Sequence, residues 1–363
     1  MKWLRRLRDM PGVLLRDLPR YWRQLDARKS GLSGWLELGN RGDRLLAPEA
    51  DLGVRCDWSD GTALHAPLVW PSLGRWLMQR ALAEWPVALA PSGSAARGEA
   101  LPTPVPEFTF VFAHAGMARL PQLLTTIRSL QAMTDCRLEI VVVDQGAEPV
   151  GACLPAGVRY HYLDTLQLTP GWHKSWAYNV GARMARAPCL VFHDGDICVP
   201  RGYARELKRV FELGFEAASL QRFLFYIGWE DAPSPSIHGE WTPNRAPTLV
   251  YQHWKGGTIA ILREAFFSIG GFDEGFVDWG GEDDEFFDRC GSLRHCRDAY
   301  LPFLHLWHAP QADRRQAENL NISTVLPQRV AMPPAMRIAE LQARGFGDPV
   351  GPGMQAGYKA RMP

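Results

Sequence analysis

The chain has 363 residues, of which 46% are apolar and 22% are charged, and its net charge is +1. So much apolar sequence can bury a core, which excludes a chain that is disordered throughout. A charge balance so close to neutral gives no overall attraction to nucleic acid. Seven cysteines without regular spacing indicate reduced thiols.

Segments that would direct the chain out of the cytoplasm are not recognisable. No apolar run approaches the ~20 residues needed to cross a bilayer, and the start, MKWLRRLRDM, lacks the apolar stretch and cleavage site of a secretory signal. Cys290, His295 and Cys296 lack the second ligand pair at zinc spacing. The sequence therefore predicts a cytoplasmic protein without a structural zinc.

Residues 1–30 form a basic segment, with nine basic against three acidic residues. Leu14, Leu18, Trp22 and Leu25 recur at helical spacing, which predicts an amphipathic surface. Two interpretations stay open. The segment either contacts anionic lipid at a membrane surface, or forms a helix that packs on the main domain and keeps a solvated charged face.

Composition then divides the rest of the chain. Residues 31–100 are predicted to form a small accessory region of short strands, turns and one helix, together with a linker; the segment rich in Ala, Pro, Gly and Ser begins at residue 90 and runs to residue 107. A main domain is predicted over residues 101–325. A C-terminal helix and tail are predicted over residues 326–363.

In the main domain, near-continuous apolar strands alternate with helices, as in LEIVVVD at 138–144 and CLVFHDGD at 189–196. This pattern predicts an α/β fold with a mostly parallel central sheet covered by helices on both faces. Ligands of such sheets bind at the carboxyl ends of strands. Asp144, Asp194 and Asp196 lie at such ends.

Asp194-Gly195-Asp196 is the first candidate site. Residues at i and i+2 of a strand point to the same side, so the two acids can converge, and the glycine lets a ligand approach the backbone. Carboxylates suit Mg²⁺ or Mn²⁺, which bridge phosphate oxygens. Such a pair is also typical of a solvated turn, and its position after a buried strand favours the site.

The run Glu282-Asp283-Asp284-Glu285 is the second candidate site. Four neighbouring acids repel one another, so water, a cation or a ligand must compensate them. Trp279 and the Gly280-Gly281 pair precede them, which suits a loop that closes over a sugar. The acids also suit a helix N-terminus, and both interpretations can hold together.

These segments resemble glycosyltransferases of the GT-A fold. Residues 255–289 look like the catalytic half of β-1,4-galactosyltransferases, bacterial chondroitin-type polymerases and polypeptide N-acetylgalactosaminyltransferases, and the upstream half resembles family 2 glycosyltransferases. The motifs that carry the resemblance are Val141 to Gly146, Asn179-Val180-Gly181, Asp194-Gly195-Asp196, Gly256-Gly257, Gly271-Phe272 and Trp279 to Asp284. Gln145 departs from the second acid of the family segment.

The resemblance implies a UDP-sugar donor, a carbohydrate or lipid-linked glycan acceptor and Mn²⁺ (or Mg²⁺) as cofactor. It implies that Asp144 contacts uridine, that Asp194 contacts the ribose or the metal, and that Asp196 ligates the metal. Lys174 and Asn179 match positions that line the donor site.

The remaining implied roles fall in the second half. Gly256, Gly257 and Trp279 belong to the donor site. Asp283 is expected to be the general base, and Glu282 to hold the acceptor's hydroxyl groups. Of the two histidines in LPFLHLWH, His308 is expected to ligate the metal, and His305 to support the metal's ligands or to lie in the core. Whether His114 or Arg119 contacts the nucleotide stays open.

The predicted reaction is the inverting transfer of a hexose or N-acetylhexosamine, in the synthesis of a bacterial surface polysaccharide. One rival is a retaining transferase of the same fold, although those relatives commonly carry Asn where this chain has Asp283. Another is a sugar- or nucleotide-binding module without catalysis, which the intact acids and histidine disfavour. A nicotinamide-dependent enzyme would need a Gly-x-Gly-x-x-Gly after the first strand, which is not found.

Overall fold

The computed structural model describes residues 2–20, 62–93, 105–163, 171–297, 299–309 and 320–351. The predicted turns before residue 62 and most of the predicted linker lie outside the described residues. Within these ranges, no helix combines the length and apolar character that a bilayer crossing needs.

The strands are short, and the longest of them lie in the main domain. In chain order they are β1 Thr62–Leu64, β2 Ala88–Leu89, β3 Phe108–His114, β4 Leu138–Asp144, β5 Arg159–Tyr162, β6 Cys189–His193, β7 Ile197–Cys198, β8 Ala217–Ala218, β9 Gln221–Tyr226, β10 Gly239–Glu240, β11 Leu249–Gln252, β12 Thr258–Leu262, β13 His295–Cys296 and β14 Leu301–His305.

Helices separate most of the long strands. In chain order they are α1 Lys2–Gly12, α2 Ala66–Val69, α3 Pro71–Glu84, α4 Leu120–Gln131, α5 Lys174–Met184, α6 Tyr203–Glu212, α7 Arg263–Ser268, α8 Glu282–Arg289, α9 Leu326–Val330 and α10 Pro334–Arg344.

The central sheet has the strand order β13-β8-β12-β6-β3-β4-β5. β3, β4, β5 and β6 run parallel to one another, β13 is parallel to β8, and β12 is antiparallel to both of its neighbours, β6 and β8. The predicted α/β fold with a mostly parallel sheet is confirmed. The chain leaves β3 toward β4 and β5, then returns to β6 on the other side of β3. This reversal is where α/β sheets bind ligands.

The apolar strands are continuous because both faces of the sheet are covered. Phe110 and Val142 point into one core, which also holds the buried face of α4. Val141 and Val143 point to the other face, against α5. All four side chains are fully buried. Successive residues of a strand thus enter different cores, which is why these strands are apolar on both faces over most of their length.

Residues 62–93 pack against the main domain. β1 pairs with β11, with Leu64 opposite Val250, and β2 pairs with β10. Leu77 of α3 is buried in the same core as the central sheet. The division into an accessory region and a main domain stays a prediction, because its boundary falls in the undescribed linker.

A buried ion network places α8. Glu285 accepts hydrogen bonds from Arg289 of the same helix at 2.6 Å and from Arg337 of α10 at 2.6 Å, and all three side chains are fully buried. Arg289 also donates to the carbonyl oxygen of Gly271 at 2.6 Å. Removing one member of such a network leaves a buried charge without a partner, which is strongly destabilising. Glu285 therefore anchors the acidic helix and points away from solvent.

Candidate functional site

A cleft of about 1000 Å³ opens at the reversal point of the central sheet. Its walls come from the ends of β3 and β6, the turn before β12 and the segment that leads into α8. The residues of the sequence-predicted site that line it are Lys174, Asp194, Asp196, Gly256, Gly257, Trp279, Glu282, Asp283 and His308. His305, His114 and Arg119 line it as well.

Asp196 and two histidines form a cluster at one end of the cleft. β7, which follows Asp196, pairs with β14, so that Ile197 lies opposite His305. The Oδ2 atom of Asp196 lies 3.3 Å from Nε2 of His308 and 3.6 Å from Nε2 of His305. One ligand atom from each of the three residues lies within 4.8 Å of the others. His305 thus joins the cluster, where the sequence had suggested a supporting place for it.

The charges around this cluster suit a cation. Burial alone would raise the pKa of Asp196, but His305, His308 and the guanidinium of Arg119 lower that pKa well below its usual range. Burial lowers the pKa of His305, which favours the neutral imidazole that a metal requires. One carboxylate oxygen with two imidazole nitrogens is a donor set for a divalent transition metal, and the carboxylate also suits Mn²⁺. The residues therefore fit a divalent metal.

Lys174, the first residue of α5, joins the two acidic motifs. Its ammonium nitrogen lies 3.1 Å from Asp194 and 3.1 Å from Glu282, and 3.6 Å from Asp283. Although burial lowers the pKa of Lys174, the surrounding carboxylates raise it well above its usual value. The side chain therefore stays charged, and one buried cation holds together residues from the end of β6 and the start of α8.

Asp283 is the unusual carboxylate of the cleft. Burial is the main cause that raises its pKa, repulsion from Glu282, Asp194 and Asp284 adds to it, and the opposing attraction of Lys174 leaves the pKa at about 8. Its side chain still keeps 29% of its surface exposed. A carboxylate of this basicity that faces a cleft is suited to accept a proton.

The Gly256-Gly257 pair is required by close approach. A Cβ atom on Gly256 would lie 2.9 Å from the Oδ2 atom of Asp283, and one on Gly257 would lie 2.5 Å from the Cδ1 atom of Ile197. Gly257 also has a φ of +96°, and its carbonyl oxygen accepts a hydrogen bond from the backbone N–H of Asp194 at 2.8 Å. A side chain at Gly256 would displace the carboxylate of Asp283, and one at Gly257 would clash with Ile197.

The Trp279 loop, residues 278–281, is held against the segment before α5. The rings of Trp279 and Trp172 are stacked with their centroids 6.4 Å apart. The backbone N–H of Trp172 donates to the side chain of Asp278 at 2.9 Å, and the N–H of Asp278 donates back to the carbonyl oxygen of Trp172 at 2.7 Å. Gly280 and Gly281 have φ values of +98° and +87°. The loop turns here into α8.

Two predicted donor residues lie behind the cleft. Asp144 is fully buried, and its carboxylate accepts hydrogen bonds from the hydroxyl of Tyr160 at 2.7 Å and the N–H of Val150 at 3.0 Å. Asn179 is also fully buried, and its amide bonds both backbone groups of Phe272. Both side chains hold loops that support the cleft.

His114 and Arg119 occupy different positions. Arg119 lies 3.6 Å from Asp196 at the metal-suited end. His114 ends β3 and is buried, its Nε2 atom has no hydrogen-bond partner among the described residues, and burial lowers its pKa. Arg119 therefore offers a charged contact to a ligand, and His114 offers a neutral one.

Comparison with family models gives two matches. Residues 118–269 match the model described as glycosyl transferase family 2, and residues 243–297 match the model described as the N-terminal domain of galactosyltransferase. Both families named from the motifs are thereby confirmed as resemblances. The matches together span the carboxyl ends of β4 and β6, Lys174, the aspartate pair and the acidic run.

A curated relative and three solved structures are similar to the chain. Polypeptide N-acetylgalactosaminyltransferase 8 of Drosophila melanogaster is 27% identical over 190 residues, which cover 45% of this chain and 31% of the relative. The chain thus spans about a third of the length of the curated relative it matches.

The three solved structures are glycosyltransferases. The catalytic domain of Drosophila β1,4-galactosyltransferase 7 with xylobiose is 18% identical and has a TM-score of 0.31, covering 53% of this chain and 65% of its own. GalNAc-T7 with UDP, GalNAc and Mn²⁺ is 17% identical with a TM-score of 0.39, covering 56% and 44%. A mannosyltransferase from Pyrobaculum calidifontis with GDP-Man and Mn²⁺ is 19% identical with a TM-score of 0.41, covering 77% and 78%.

The substitution Lys174→Met should destabilise the fold, since it leaves the surrounding carboxylates without their buried cation. We expect the free energy of unfolding to fall by about 3–5 kcal/mol at pH 8. The loss should shrink at pH 6, because without Lys174 the folded-state pKa values of the carboxylates rise above their unfolded values, so stability is lost as pH rises. Urea unfolding at both pH values measures this.

Lys255→Met is the matched control. Lys255 pairs with Asp284 at 3.2 Å, but its side chain is 38% exposed. Removing this exposed pair should cost under about 1 kcal/mol. Equal losses for the two variants, or a loss at Lys174 that does not change with pH, would contradict the role of Lys174 as the buried counter-charge.

Proposed function

Since the chain carries a glycosyltransferase domain, we propose that it is an inverting, metal-dependent enzyme that moves a hexose or N-acetylhexosamine from a UDP-sugar to a carbohydrate acceptor. The observation that supports this most strongly is that one cleft holds both a metal-suited cluster at Asp196 and a carboxylate of raised pKa at Asp283. Sugar transfer needs a metal for the donor's diphosphate and a base for the acceptor's hydroxyl, and the two must act on substrates bound in the same cleft.

The donor occupies the end of the cleft beside Asp196. Asp196, His305 and His308 would hold Mn²⁺ (or Mg²⁺), which when bound neutralises the donor's diphosphate and stabilises the charge that develops on it. Arg119, 3.6 Å from Asp196, adds a fixed positive charge on the same side. Trp279 and the two glycines after it cover the donor and exclude water, which limits hydrolysis.

The acceptor occupies the end beside Asp283. As the acceptor oxygen attacks the anomeric carbon, Asp283 takes the proton from its hydroxyl, and the bond from that carbon to the diphosphate breaks. A single displacement of this kind inverts the anomeric centre. Glu282 accepts hydrogen bonds from the acceptor's other hydroxyl groups. Lys174 holds both acids in place.

The acceptor is a carbohydrate or a lipid-linked glycan, and the reaction belongs to the synthesis of a bacterial surface polysaccharide. The resemblance of the acidic segment to polysaccharide polymerases supports this assignment. The basic N-terminal segment supports a peripheral position at the inner face of the cell membrane, where such acceptors are presented.

A retaining transfer is the second candidate, because the curated relative that matches the chain is a polypeptide N-acetylgalactosaminyltransferase. A retaining mechanism does not proceed by a single direct attack of the acceptor hydroxyl, so Asp283 would not be needed to take the proton in such an attack. The raised pKa of Asp283 and its place in the cleft favour inversion.

Removal of the metal ligands should abolish activity and leave the fold intact. For Asp196→Ala, Mn²⁺ affinity measured by electron paramagnetic resonance in the presence of UDP should fall at least about tenfold, because a carboxylate is the strongest hard ligand of the cluster. His305→Ala should also weaken binding. His161→Ala, which alters a ring bonded to the carbonyl oxygen of Pro349, is the control. Normal turnover by Asp196→Ala in chelator-washed buffer would refute the metal assignment.

The substitution Asp283→Asn keeps the size of the side chain and removes its basicity. We expect kcat to fall roughly 10²- to 10⁴-fold, with metal-dependent UDP binding nearly unchanged. The base is active when ionised, so kcat/KM of the unaltered enzyme should rise with pH through about 8, the pKa of Asp283. That rise should be absent in the variant.

Asp284→Asn is the control for this experiment, because Asp284 is 47% exposed and pairs with Lys255. It should retain most of its activity, and the rise of kcat/KM should remain but move to lower pH, because the repulsion from Asp284 that helps raise the pKa of Asp283 is removed. If Asp283→Asn transfers sugar at a near-normal rate while Asp284→Asn or Glu282→Gln does not, the base is another residue of the acidic run.

A further inference from the structure

The N-terminal helix presents an apolar face outward. α1 runs to Gly12, and helical turns continue to residue 20. Large apolar side chains on this helix lie in contact with solvent: Trp3 is 68% exposed, Leu4 67%, Leu7 44%, Leu14 50% and Leu15 83%. A helix that packs on a domain normally buries such residues and exposes its charges. Here part of the apolar surface lies on the outside, which requires an explanation.

The opposite face is attached to the main domain. Val13 and Asp17 are fully buried. The carboxylate of Asp17 accepts a hydrogen bond from the backbone N–H of His65 at 2.5 Å, and Arg16 donates to the carbonyl oxygen of Ala63 at 2.7 Å. These contacts fix how the helix is rotated on the domain. The apolar residues cannot turn inward without breaking them.

Basic residues flank the apolar face. Residues 2–20 hold six basic and two acidic side chains. Arg5 and Arg8 are 69% and 74% exposed while they lie near Asp9. Trp and Leu on one side with Arg beside them is the composition of helices that lie in the headgroup region of a bilayer. The positive charge complements anionic lipid.

We infer that the outward face formed by Trp3, Leu4, Leu7, Leu14 and Leu15 inserts into the headgroup region of an anionic bilayer. This inference rests on the proposed function, in which the basic charge of the N-terminal segment places the enzyme at the membrane. It adds that binding comes from apolar side chains inserted by a helix that is held in one orientation. Because Asp17 and Arg16 tie the helix to β1, the domain would dock with a defined side toward the membrane. The charge beside the apolar face favours lipid over a second copy of the chain.

The test uses the full chain and flotation with vesicles of 30% phosphatidylglycerol in phosphatidylcholine. The double substitution Leu4→Gln/Leu15→Gln changes exposed residues only, so the fold should persist. Its vesicle partition coefficient should fall at least about tenfold, the equivalent of losing part of the burial of two leucines. Val330→Gln/Met336→Gln, which alters residues 44% and 59% exposed elsewhere, should bind as the unaltered chain does. Pure phosphatidylcholine vesicles should bind more weakly than the mixed ones.

Equal partitioning of the Leu4/Leu15 variant and the unaltered chain would overturn the inference. So would equal binding to neutral and anionic vesicles. Sedimentation velocity covers the alternative occupant: a dimer that the Leu4/Leu15 variant converts to monomer, with vesicle binding unchanged, would assign this face to a second copy. Donor turnover on a soluble acceptor should be the same in both double variants. A failure of turnover in the unaltered chain would count against the proposed function, and the flotation result would stand.

Discussion

The buried ammonium of Lys174 is the interaction on which the site depends. Asp194, Glu282 and Asp283 come from two parts of the chain, and all three reach within 3.6 Å of one nitrogen. Without that cation the acids would repel one another and open the turn into α8. With it, α8 begins at the edge of the sheet, and the Glu285 network fixes the other side of the helix.

The same arrangement explains the raised pKa of Asp283. One ammonium stands against several carboxylates, and burial penalises every charge that remains. The pKa of Asp283 therefore stays at about 8 although a cation lies close to it. Gly256 completes the arrangement, since a Cβ atom there would lie 2.9 Å from the carboxylate. The position of Asp283 and its raised pKa thus both follow from the packing of several carboxylates around the single ammonium group of Lys174.

The two aspartates of the Asp-Gly-Asp motif take separate roles in the structure. A strand would point both to the same side, but β6 ends at His193 and a turn follows. Asp194 therefore turns toward Lys174, while Asp196 turns toward His305 and His308. Strand alternation predicted that the two acids converge on one site, and both line the same cleft. They face different partners there, because the alternation does not apply beyond the last residue of the strand.

Sequence patterns predicted the elements well where many residues contribute, as in the apolar strands β3, β4 and β6. Single polar residues were harder, because a buried polar residue at a strand end looks the same whether it faces a ligand or a loop. Asp144 bonds Tyr160, and Asn179 bonds Phe272, which no spacing in the sequence reveals. The partners of Lys174 are distant in the chain for the same reason. The His-x-x-His spacing at His305 and His308 was a usable signal for the second histidine of the cluster.

The most direct test is to follow a set of UDP-, GDP- and TDP-sugars with Mn²⁺ by proton NMR, reading which donor is consumed and the anomeric configuration of the sugar released or transferred. The proposed mechanism predicts metal-dependent consumption of a UDP-sugar and a product of inverted configuration. UDP binding without turnover of any donor would contradict the proposed activity and indicate a non-catalytic binding module. A product of retained configuration would contradict the role assigned to Asp283.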